Sequence, residues 1–139
     1  LRKHAVMSQI TEANAAMVAG KESGDLFAVA RADMSFHRAI VYNCGNQCLV
    51  ESYDLISGRL DAIRTRISIA LKETRTRAIN EHQAMIVALK SDNLSRARIL
   101  LSTHISKSLG WFDVACKEGL LSAPQKISEQ PYSKLRLDN

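Results

Sequence analysis

Asp33 and His37 stand four positions apart in a stretch that reads as one helix. Residues at that spacing share a face, with Cβ atoms about 6 Å apart. A carboxylate and an imidazole so placed suit two ligands of one divalent cation, or a buried ion pair. His82 and His104 fall on the apolar stripes of two later helices. One carboxylate and three imidazoles are therefore expected to face a shared core. Leaving an ionised carboxylate there without a partner is expensive, and convergence on a cation removes that cost. Asp33, His37, His82 and His104 form a ligand set suited to Zn²⁺, with Ni²⁺, Mn²⁺ and Fe²⁺ as alternatives. Any one of these residues alone is unremarkable, because a core histidine is ordinarily satisfied by a hydrogen bond. His4 sits off the stripe of its helix and serves as a control.

The elements that position these residues are helical almost throughout. Val6, Ile10, Ala13 and Met17 give a first helix over 1–19, with Gly20 as its C′ residue. Asp25 is the expected N-cap of a second helix, striped by Leu26, Ala30, Asp33, His37, Ile40 and Cys44. Gly45 ends it, and Asn46 is placed to cap the third. Leu49, Tyr53, Ile56, Leu60, Ile63, Ile67 and Ala70 alternate at steps of four and three over 47–72, the seam of an antiparallel bundle. A fourth helix over 75–90 carries Ile79, His82, Ile86 and Leu89. A turn at 91–93 leads to a fifth over 94–118, striped by Leu94, Ala97, Leu101, His104, Ser108, Trp111 and Ala115. Beyond 121 the stripe stops, and 122–139 reads as a tail. No run alternates with period two. The expectation is an all-α antiparallel helical bundle of about five helices, with one domain over 1–121.

Composition narrows the classes. A chain of 139 residues with 46% apolar and 24% charged residues fits one domain with a real core. No apolar run reaches the roughly 18 residues that a membrane span needs. Aromatic residues at 5% are too few for a stacking platform on single-stranded nucleic acid. Cys44, Cys48 and Cys116 are expected to be reduced, buried thiols, which fits a cytoplasmic compartment. The net charge of +5 is densest from Arg59 to Arg77. Solvated helix faces account for most of such a run, and an electropositive cleft for an anion is the sharper alternative.

The run from Asp33 through Phe36 and His37 to Ile40, followed by Gly45-Asn46, resembles the signature of the FCD domain. This is the C-terminal effector-sensing half of FadR-type GntR transcriptional regulators. Glu81-His82 leading into Ile86 and Ala88 is similar to its next motif. Asp92 to Ala97 with Thr103-His104-Ile105 is similar to its last. Three motifs in the right order over about 1–118 make the resemblance specific. It implies a bundle in which Asp33, His37, His82 and His104 hold a metal and a small carboxylate effector sits beside it. It also implies a homodimer that binds DNA through a winged helix-turn-helix domain. That domain has no counterpart in these residues, and the chain, which starts at Leu1 without a Met, reads as a piece of a longer protein. The basic balance is therefore no DNA footprint.

On this reading the chain is the effector-sensing and dimerisation domain of a metabolite-responsive regulator and not an enzyme. Arg64, beside Leu60 and Ile63, and Asn46, in the Gly-Asn corner, are candidates to bind the effector, and an N-cap role explains Asn46 equally well. Phe36 is expected to pack beside the metal helix. Glu81 adjoins His82 but points about 100° away on a helix, so it offers no obvious acid–base partner. Two rivals stay open: a metal-dependent, hydrolase-like enzyme, and a structural bundle with a buried polar network.

Overall fold

The computed structural model describes residues 2–121. The tail expected over 122–139 lies outside the described residues. Five helices follow one another: α1 (Arg2–Ser23), α2 (Leu26–Tyr42), α3 (Gln47–Ala70), α4 (Lys72–Lys90) and α5 (Leu94–Lys117). No strand occurs among the described residues. The all-α bundle expected from the stripes is the observed architecture.

Local chemistry sets the helix boundaries. Asp25 accepts a hydrogen bond from the Ala28 N–H at 2.8 Å, Asn46 from Leu49 N–H at 3.1 Å and Asn93 from Arg96 N–H at 2.9 Å. Each satisfies a backbone donor that the first helical turn leaves free. Two boundaries differ from expectation. Gly20 does not end α1, which runs on to Ser23, and the reversal is made by Gly24 at φ +77. Gly20 is instead where α2 comes closest: a Cβ there would lie 3.0 Å from the Val29 nitrogen. The other is the junction of α3 and α4. Leu71 alone separates them, in extended conformation at φ −114, ψ 97, so α4 starts three residues earlier than its stripe suggests.

The core lies where α1, α2 and α4 meet. Ile10, Ala13, Phe36, Ala39, Met85 and Ile86 form one buried cluster, and Met17, Val29 and Ala32 a second. The apolar face of α2 is thus wider than its expected stripe and centres on Val29, Ala32, Phe36 and Ala39. The stripe of α3 behaves differently. No α3 residue is buried, and Leu49 and Ile56 are about half exposed. Further along the same stripe, Leu60, Ile63 and Ile67 line a cavity of about 340 Å³ between α3 and the α4–α5 pair. The regular seam of α3 lines a space as well as packing on neighbours.

The cysteines correct another expectation. Cys44 and Cys48 are exposed and Cys116 is half-buried, all three free. α2 ends at Tyr42, which puts Cys44 in the turn and Cys48 in the first turn of α3, outside the core.

Candidate metal centre

Three helices bring their chemistry to one place. α2 contributes Asp33 and His37, α4 contributes His82 and α5 contributes His104. The three imidazoles are all buried, and each offers a ring nitrogen within 4.8 Å of the others. His37 Nε2 and His104 Nε2 lie 3.3 Å apart. Asp33 Oδ1 lies 3.6 Å from His82 Nε2 and 3.9 Å from His37 Nε2. Two ligands bonded to one cation at about 2.1 Å sit roughly 3.0–3.4 Å apart at right-angle or tetrahedral geometry. The His37–His104 separation is of that size and the two Asp33 separations are slightly longer; the three imidazoles form the compact group, with Asp33 beside His82 and His37.

His82 supplies the observation that tests the fit. It is fully buried, and neither Nδ1 nor Nε2 has a hydrogen-bond partner. A buried ring nitrogen without a partner is costly as a structural feature and appropriate as a metal ligand. Phe36 stacks on the His82 ring with centroids 3.7 Å apart and planes 2° from parallel, which fixes the ring's orientation. Phe36 therefore packs beside the cluster as expected, and directly on one of its imidazoles.

Glu81 is the residue that sequence reasoning missed. Its Oε2 accepts a hydrogen bond from His104 Nδ1 at 2.7 Å, and its Oε1 one from Lys107 at 3.1 Å. A carboxylate only accepts, so His104 Nδ1 carries a proton; in the neutral ring Nε2 then holds the lone pair, and it faces His37. The 100° offset from His82 is real, and it aims Glu81 at α5. A sequence signal did exist: Arg77 lies four positions earlier and its Nη1 pairs with Glu81 Oε2 at 3.2 Å.

Electrostatics follow from burial. Burial pushes the His82 ring down to about 2, with the charges of His104, Arg64 and Arg77 acting the same way. It holds His37 well below the usual imidazole range, helped by Arg64 and the other two rings. Burial raises the Asp33 carboxyl against the opposing pull of Arg64 and His104. Burial would raise Glu81 too, but the hydrogen bonds from His104 and Lys107 and the Arg77 charge keep it below the usual carboxylate range. His37 and His82 are thus held neutral at neutral pH, the protonation state in which an imidazole binds a metal.

His37, His104 and Asp33 open onto the 340 Å³ cavity, while His82 lies behind them. Arg64 lines the same cavity, and its Nη1 is buried without a hydrogen-bond partner. Asn46 caps α3, is exposed and is not part of the cavity wall. The basic run divides: Arg64, Arg75 and Arg77 line the cavity, whereas Arg59, Arg66 and Lys72 are solvated.

Three buried imidazoles with a partly buried carboxylate beside them, next to a cavity between helices, make this bundle a candidate ligand-binding one. The FCD domain family matches residues 2–107. The chain belongs to that family, whose members are the C-terminal effector-binding domains of GntR-type transcriptional regulators. Comparison with curated proteins and with solved structures gives no match. No described helix is long and apolar enough to cross a membrane.

Proposed function

We propose that this domain senses a small organic acid through a divalent transition metal, zinc in the first instance. Asp33, His37, His82 and His104 would hold the ion, and Arg64 would pair the carboxylate of the effector. The observation that carries the reading is the convergence of Asp33 with three buried imidazoles from α2, α4 and α5, one of them with both ring nitrogens unpartnered. A cation bound there supplies Lewis-acid affinity for a carboxylate oxygen.

The chain's own residues do the rest. Glu81 keeps the proton of His104 on Nδ1, which leaves the inward nitrogen free as a donor of electrons. Phe36 fixes the His82 ring. Arg64 brings a positive charge to a cavity that is otherwise largely apolar, where ion pairing is worth more than in water. Because the ligands come from three helices, occupancy of the site couples the positions of α2, α4 and α5. An effector that favours one arrangement of these helices shifts a homodimer between two states, with coupling of typically about 1–3 kcal/mol. A winged helix-turn-helix domain elsewhere in the regulator would convert that shift into altered DNA affinity, in the cytoplasm.

Elemental analysis of metal-replete protein tests the site. One equivalent of metal is expected in the natural sequence and in His4→Ala. His82→Ala and His104→Ala are expected to lose it. Equal metal content in all four proteins, or none in any, would overturn the reading.

A further inference from the structure

The wall of the cavity beside the imidazoles is divided, and the division bears on what the cavity can accept. This step rests on the reading above that the cavity is the effector site. One end is formed by His37, His104, Asp33 and Arg64, whose guanidinium is close enough to act on the charges of Asp33 and His37. The remainder is dominated by side chains such as Leu60, Ile63, Ile67, Leu109, Trp111 and Phe112.

Apart from the Ser68 hydroxyl and the Trp111 indole N–H, the polar side chains outside the first end are already committed. Arg75 donates to the backbone carbonyls of Ser68 and Ile69, closing the C-terminal end of α3. Arg77 is paired with Glu81 and lies over the Trp111 ring, 5.8 Å from its centroid. The Ser108 hydroxyl donates to the His104 carbonyl at 2.9 Å and that of Thr74 to the Leu71 carbonyl at 2.6 Å. Among the cavity's cationic side chains, only Arg64 has a terminal guanidinium nitrogen that is buried and unpartnered. A second carboxylate placed beyond the Arg64–imidazole end would find no available counter-charge unless Arg77 left Glu81 or Arg75 left the end of α3. A polyhydroxylated body would bury hydroxyl groups against apolar side chains, at a cost for each one left unpaired.

We infer that the effector is a monocarboxylate with an apolar aromatic or branched aliphatic body, its carboxylate at the Arg64–imidazole end and its body against Leu60, Ile63, Ile67 and Trp111. A volume of about 340 Å³ gives room for roughly ten water-sized groups at about 30 Å³ each, the scale of a phenylalkanoate. Sugar acids and di- or tricarboxylates are disfavoured by the same wall.

Trp111 is the sole tryptophan of the chain and lines the cavity, so its fluorescence reports occupancy. The 139-residue chain, loaded with zinc and separately stripped with a chelator, is titrated with 3-phenylpropionate, 4-methylpentanoate, succinate, citrate and glucuronate. Saturable changes are expected for the first two, with dissociation constants at least about tenfold below those of the other three. Arg64→Met is expected to weaken 3-phenylpropionate by about tenfold or more while keeping its full metal content. Tighter binding of succinate, citrate or glucuronate overturns the inference. So does silence of Trp111 toward both apolar acids, or an Arg64→Met protein that binds them unchanged. Metal content, measured on the same samples, is a separate readout: a chain that takes up no zinc sinks the metal reading. The acid series on the stripped chain then still decides the inference, because Arg64 and the apolar wall belong to the polypeptide.

Discussion

Glu81 and His82 are neighbours in sequence with opposite tasks: one meets His104 across the α4–α5 contact, the other is sealed against Phe36. Glu81→Gln should leave the fold intact but lower metal affinity by about 10–100-fold, read by competition with a chromophoric chelator. An unchanged affinity would show that the Glu81–His104 bond plays no part in the site. The depressed imidazoles also give a pH prediction for metal-stripped protein. His37 and His82 are held neutral in the fold, below the ordinary value of 6.5. The stability this represents is complete above that value and is lost as pH falls, by up to about 1.4 kcal/mol per unit for each ring. Asp33 runs the other way: its raised carboxyl costs stability as pH climbs past 3.8. The urea midpoint of stripped protein should therefore drop between pH 7 and pH 5.5. A flat midpoint across that range would mean that the rings are not buried as neutral groups.

At the scale of elements, α1 and α2 approach closely at Gly20, where a larger residue would be tight against the Val29 backbone. Gly20→Ala places a Cβ 3.0 Å from the Val29 backbone nitrogen, which cannot yield as a flexible side chain would. Alanine's better helix propensity offers about 1 kcal/mol in return, and overpacking typically costs about 1–3 kcal/mol. The expected outcome is a lower melting temperature, and an increase would contradict the close packing. The stripes of α1, α4 and α5 were legible in sequence because each buries one face: Ile10 and Met17, His82 and Ile86, and Ala97, His104 and Ala115 all lie inside. The ligand candidates were legible for the same reason, since a polar residue on an apolar stripe stands out. The α3 stripe misled because periodicity reports a face that avoids water and does not say whether that face meets a solid core or a cavity wall. Gly20 misled because close approach and chain reversal both demand glycine, and only tertiary structure separates them. The i,i+4 spacing to Arg77 marked Glu81 as a paired carboxylate, but its bond to His104 could not be read because that partner lies on another helix.

Considered whole, the molecule is a bundle whose α2, α4 and α5 share one polar focus, while α3 stands partly apart across a cavity. That arrangement suits an effector-binding regulatory domain: a packed core keeps the imidazoles in register, and the looser wall admits a small molecule. It also offers a competing place for a soft cation, because Cys44 and Cys48 are exposed thiols at the α2–α3 corner. We propose that nitrogen and oxygen donors from three helices, not these thiols, hold the metal. X-ray absorption at the zinc edge of the zinc-loaded chain reads the donor set directly. The expected spectrum shows scattering from imidazole rings and oxygen or nitrogen donors at about 2.0–2.2 Å, with no sulfur. A sulfur shell near about 2.3 Å, or a spectrum without imidazole, would contradict it.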